Sequence, residues 1–145
     1  MKGDIIPDRD HVSRYAKKTT IVNDRITGAA FSLRPELGEK YLSVNWLEYF
    51  VKGDLEKAVK SVRQTFIDKK FTLTAGARFV VLNVLKVREH VKKETPDNIN
   101  LSILHEPSFS DPSHSGIFGI PKNDMLVEEL IAETINEGDI FPARL

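Results

Sequence analysis

Within the twelve residues His105-Glu106-Pro107-Ser108-Phe109-Ser110-Asp111-Pro112-Ser113-His114-Ser115-Gly116 stand two imidazoles, two carboxylates and four hydroxyls. Pro107 and Pro112 oppose a helix, so the segment reads as a stiff loop, a common setting for ligand and active sites. His105 and His114 with Glu106 or Asp111 form a mixed N and O donor set of the kind zinc, iron or manganese accepts. The eight residues between the two imidazoles do not give the helical i, i+4 step of known zinc motifs, so composition alone carries that idea. The same four residues, with Ser108, Ser110, Ser113 and Ser115 nearby, also suit acid-base work by a histidine tuned by a neighbouring carboxylate. Without any chemistry, Asp111-Pro112-Ser113 is an Asx-type turn, and Glu106 and the serines satisfy loop amides.

Two further clusters carry ligand-binding residue types. Near the amino terminus, Arg14 and Tyr15 follow Asp8-Arg9-Asp10-His11; a guanidinium grips phosphate or carboxylate bidentately and a phenol ring stacks on a base or sugar. The alternative is a charged surface segment solvating an edge strand or a first helical turn. The second cluster, Tyr41-Leu42-Ser43-Val44-Asn45-Trp46-Leu47-Glu48-Tyr49-Phe50, holds the single Trp and two of the three Tyr residues. Strand alternation would turn Leu42, Val44 and Trp46 to the core, and Ser43 and Asn45 outward or into a cleft, with Glu48 just past the strand end.

The segments Leu42 to Glu48, His105-Glu106-Pro107 and Asp111 to Ile117 resemble small uncharacterised prokaryotic proteins of about this length, a likeness that covers most of the chain and implies no known activity. In arrangement only, the chain also resembles the ADP-ribosyltransferase fold. That likeness implies that Arg14 or His11 holds a dinucleotide, Ser43 flanks its nicotinamide and Glu48 polarises the ribose, although Glu48 falls earlier than the late catalytic Glu of that fold.

These residues must be positioned by a chain of 145 residues, the size of one domain, read here as spanning 1–145. Lys plus Arg and Asp plus Glu each number 21, and a net charge of zero lacks the positive field of non-specific nucleic-acid binding. The basic pairs Lys17-Lys18, Lys69-Lys70 and Lys92-Lys93 are scattered and read as solvated surface. The absence of cysteine removes disulfides, thiolate metal sites and a Cys nucleophile. Neither a signal-peptide core nor an apolar run near the roughly 20 residues of a membrane span is present, so a soluble cytoplasmic protein is expected. No G-x-G-x-x-G or P-loop pattern occurs.

Periodicity supplies the elements. Gly28 to Leu33 and Tyr41 to Trp46 suggest two strands of a hairpin. Asp54 caps a helix with Leu55, Val59, Val62 and Phe66 on one face. Arg78 to Leu85 reads as a central strand, Lys86 to Glu94 as a short helix or a strand end, and Ile99, Leu101 and Ile103 as a half-buried strand leading to His105. Ile117 to Ile120 is another strand; Asn123 or Asp124 caps a helix carrying Val127, Leu130, Ile131 and Ile135, with Gly138 as its stop. Without a βαβ rhythm, the expectation is a single α+β domain with a mixed or antiparallel sheet and two main helices. The functional expectation is a protein-interaction or accessory module acting through the His/Glu/Asp loop, against the metal or acid-base enzyme and the NAD-using transferase described above.

Overall fold

The computed structural model describes residues 1–145, apart from the side chain of Pro35. Its centre is a six-stranded antiparallel sheet built from β1 (His11–Ala16), β4 (Leu42–Trp46), β5 (Arg78–Asn83), β6 (Ser102–His105), β7 (His114–Phe118) and β8 (Ile140–Pro142). The strand order is β6-β7-β4-β1-β5-β8, with every neighbouring pair antiparallel. A separate two-stranded ribbon joins β2 (Ile21–Val22) to β3 (Arg25–Ile26). Its turn residues Asn23 and Asp24 both adopt positive φ, the backbone a tight hairpin of this twist requires. Three helices, α1 (Leu55–Asp68), α2 (Val84–Glu94) and α3 (Met125–Glu133), complete an α+β domain.

The sheet buries both faces. On one, Val12, Leu42, Val44, Val80, Leu82, Ile103 and Ile117 pack with α2, α3 and the buried Ala30 and Phe31. On the other, Phe79 and Val81 pack with Leu47 and with Ala58, Val59 and Val62 of α1. The alternation of Val80 and Leu82 against Phe79 and Val81 explains why β5 is apolar throughout: it is covered twice. α1 shields only part of its face, leaving the region over β4 and β7 open to polar side chains.

Several local expectations are corrected. Gly28 to Phe31 is not a strand but a turn of 3-10 helix under α3, and β4 pairs with β1 and β7 instead. A Cβ on Gly28 would lie 2.9 Å from the Glu129 backbone nitrogen, so glycine there permits α3 to approach closely. His11 to Ala16 is neither surface nor edge; it is a central strand between β4 and β5. β5 stops at Asn83 because that side chain accepts from the Lys86 backbone N–H and caps α2, which makes Val84 and Leu85 helical. The ambiguous segment 86–94 is therefore helix, with Val84, Val87 and Val91 buried along one face, and the main helices number three.

β6 begins at Ser102, later than the Ile99 start expected. β7 is displaced toward the amino terminus: it runs from His114 to Phe118 and includes the polar His114 and Ser115. α1 begins at Leu55 after its Asp54 cap, which accepts from Lys57 N–H. α3 is capped by Asp124, but ends at Glu133, so Ile135 and Gly138 lie beyond it. The Thr134 hydroxyl donates to the Ile131 carbonyl at 2.8 Å and satisfies an acceptor at that end. The free edge of β6 is covered by residues 3–6: Gly3 N–H donates to His105 O at 2.6 Å and Ile6 N–H to Ile103 O at 3.1 Å. Among the described residues, no helix is long and apolar enough to cross a membrane.

Candidate functional site

The polar segment after β6 folds as the connection of the β6–β7 hairpin. Glu106 N–H donates to His114 O at 2.8 Å, and Ser108 and Asp111 exchange backbone hydrogen bonds at 3.1 and 3.2 Å across the two-residue turn Phe109-Ser110. The base of the turn is locked from within. Asp111 is buried, accepting from Asn45 Nδ2 at 2.8 Å and from Lys69 Nζ at 2.7 Å. Asn45 Nδ2 also donates to Ser113 Oγ at 2.9 Å, and Lys69 lies 4.8 Å from the Phe66 ring centroid. A buried carboxylate is tolerable only when its charge and lone pairs are answered, and here an ammonium and an amide answer them. The tip is the opposite environment: Phe109 has a relative exposure of 105%.

The pairing of His105 with Ser115 decides where the two loop histidines point. Directly paired residues share a sheet face, so His114, next to Ser115, projects from the other one. His105 is buried, with Nε2 2.7 Å from Pro112 O and its ring against Trp46 and Tyr49. His114 instead has Nδ1 2.9 Å from Glu106 O and Nε2 3.2 Å from Ser43 Oγ. The two imidazoles do not converge, and among the described residues no group of three or more His, Asp or Glu side chains is placed to hold a metal ion.

Around His114 a cleft of about 360 Å³ is lined by Lys2, Tyr41, Lys69, Glu106, Asp111 and the loop serines Ser108 and Ser110. Tyr41 packs on Phe118 at a centroid distance of 4.6 Å and tilts against His114 at 5.8 Å. Burial raises the Tyr41 phenol above its ordinary value, with the Glu106 charge adding to the effect, so the hydroxyl stays protonated at neutral pH. The cleft thus joins Glu106, Asp111, His114 and, through hydrogen bonds, Ser43 and Asn45. Lys69, taken from sequence as solvated surface, and Tyr41 are the contributors that sequence reasoning did not single out.

Arg14, Tyr15 and Glu48 lie elsewhere. Arg14 donates to Ala30 O and Ser43 O, both at 2.9 Å, and ties the 28–31 turn to β4. Burial lowers its pKa to about 10, which leaves it charged at neutral pH. Tyr15, its strand neighbour, projects to the opposite face, where its hydroxyl meets Thr74 and its ring packs on Phe66, Phe71 and Phe79. The two cannot clamp one ligand together. Glu48 receives the His11 backbone N–H and contacts His11 Nδ1, both at 2.7 Å. That hydrogen bond raises the His11 pKa against the opposing effect of burial, helped by the charges of Glu48, Asp139 and Asp10. Beside it, Trp46 Nε1 donates to buried Asp10 at 2.9 Å. Arg14 and Ser43 point from opposite sheet faces, so of the two residues that the ADP-ribosyltransferase likeness offers for the dinucleotide, Arg14 does not share a face with Ser43, whereas His11 does and contacts Glu48.

No protein-family model, no curated protein and no solved structure matches this chain.

Proposed function

We propose that this domain is a protein-interaction module that docks through the tip of the β6–β7 hairpin, with Phe109 as its anchor. The observation that carries this reading is the contrast within three residues: a fully exposed aromatic at 109 and a buried, ion-paired carboxylate at 111. Aromatic side chains dominate the energetics of protein interfaces because they bury large apolar area for few rotatable bonds. Their ordering cost falls further when the loop is already fixed, and here backbone hydrogen bonds and the Lys69–Asp111–Asn45 network fix it before any partner arrives. The partner fitted by this tip is a protein with an apolar pocket wide enough for one benzyl group, rimmed by groups that can meet the Ser108 and Ser110 hydroxyls.

The test is affinity capture from the source cell with wild-type protein and with Phe109→Ala. Loss of one anchor of this kind costs about 2 kcal/mol, or roughly 30-fold in affinity. A protein retained by wild type and released by Phe109→Ala, at unchanged melting temperature, supports the reading. Equal retention by both removes it.

A further inference from the structure

We propose that Ser43 and His114 form a nucleophilic site that hydrolyses small carboxylic esters. The two residues come from adjacent strands, β4 and β7, in a register that pairs Asn45 with His114 and Ser43 with Gly116. Ser43 and His114 are therefore diagonal neighbours on the open face of the sheet, close enough for side chains to meet. Their contact, Ser43 Oγ to His114 Nε2 at 3.2 Å, lies at the surface beside the cleft that His114 lines.

The tautomer follows from the second contact of the ring. Glu106 O, 2.9 Å from Nδ1, is a carbonyl and can only accept, so Nδ1 carries the hydrogen. In the neutral imidazole Nε2 then presents its lone pair to Ser43, whose hydroxyl donates. A hydroxyl, a base within hydrogen-bond reach and a third group that orients the base are the parts that activate a serine nucleophile. The backbone carbonyl of Glu106 fills the orienting role here, held in place because the Glu106 N–H is bonded to His114 O. Gly116 keeps the neighbouring register position free of a side chain, and the Tyr41 ring occupies that space as one wall.

In the reaction, Ser43 Oγ attacks the ester carbonyl carbon while its proton passes to His114 Nε2. The tetrahedral adduct collapses, the C–O bond to the alcohol breaks, and the alcohol leaves with the proton from Nε2. Water then gives a proton to Nε2 and attacks the acyl-serine; collapse returns the proton to Ser43 Oγ and releases the acid. The cleft beside the pair is lined by Lys2 and Glu106 and by the ion-paired Lys69 and Asp111.

The experiment is labelling of the intact folded protein with a fluorophosphonate probe, followed by peptide mapping, alongside hydrolysis of p-nitrophenyl acetate. The expected result is an adduct on Ser43, abolished in Ser43→Ala and slowed about 100-fold in His114→Gln, with ester hydrolysis falling in parallel. Ser43 is exposed, so Ser43→Ala keeps the fold, and its melting curve verifies that. The proposal is overturned if native protein labels no faster than heat-unfolded protein, if the adduct maps to another serine, or if Ser43→Ala labels like wild type.

Discussion

Lys69, at the carboxyl-terminal cap of α1, and Asp111, at the base of the β6–β7 turn, form a 2.7 Å ion pair that joins helix to hairpin across 42 residues of sequence. Asp111 is almost wholly enclosed, whereas Lys69 keeps part of its side chain in water. Lys69→Met leaves the carboxylate enclosed with no cation, answered by the Asn45 amide and a long hydrogen bond from the Ser113 hydroxyl. The expected destabilisation is about 2 kcal/mol, between the ~0–1 kcal/mol of exposed pairs and the ~3–5 kcal/mol of breaking enclosed ones. Urea denaturation measures it, and a double-mutant cycle with Asp111→Asn isolates the pair. Amide exchange at Ser108 and Asp111 should rise in the same variant if the pair is what holds the turn.

His11 and Glu48 predict a pH dependence with a definite sign. Glu48 raises the His11 pKa above the usual 6.5, so the folded state holds the proton more tightly than the unfolded chain. The resulting stability is fully present below the unfolded value of about 6.5 and is lost as pH rises through the higher folded value. Glu48→Gln keeps an acceptor for the His11 backbone N–H but removes the charge. Thermal melts of the two proteins at pH 6 and pH 9 should differ more at pH 6. A constant difference across that interval would remove the assigned role of the pair.

Much of the scaffold was legible from local rules, because those rules act within a few residues. Asp54 with the steps Leu55, Val59, Val62 and Phe66 located α1, and the Phe79-to-Leu82 run located β5. Asp124 marked the start of α3. What escaped depended on distant partners. His114 and Ser115 look like loop residues, yet they pair with Asn45, Val44 and His105, and Ser115 is buried with its hydroxyl donating to Ser113 O. Gly28 to Phe31 has strand-like composition, but α3 sits on it more closely than a strand side chain allows. At the site, sequence gathered His105 and His114 into one loop, while the pairing register sent them to opposite faces. Lys69 carried no local signal, since its partner Asp111 is supplied by the fold.

Gly116 is a packing requirement under Tyr41. A Cβ added there would fall 2.3 Å from Tyr41 Cδ1 and 2.7 Å from its Cγ. Gly116→Ala should therefore expel the ring from the sheet and cost about 1–3 kcal/mol, as overpacked sites do. Removing the obstructing ring in the double variant Tyr41→Ala/Gly116→Ala should recover part of that loss. Additive destabilisation in the double variant would show that the strain lies elsewhere.

Arg14 acts as a strut between the 28–31 turn and β4, so its fork geometry matters more than its charge. Arg14→Lys should cost about 1–2 kcal/mol because one ammonium cannot serve both carbonyls in the guanidinium geometry. Chemical denaturation checks this, and a lysine variant as stable as wild type would contradict the strut.

The central claim is that Phe109 on its braced turn meets a partner, and site-specific photocrosslinking in the source cell tests it most directly. A photoreactive phenylalanine analogue in place of Phe109 should yield one discrete crosslinked species that unmodified protein competes away. The same analogue at Lys60, an exposed position on α1, should not yield that species. Indistinguishable products from the two positions would contradict the docking role of the hairpin.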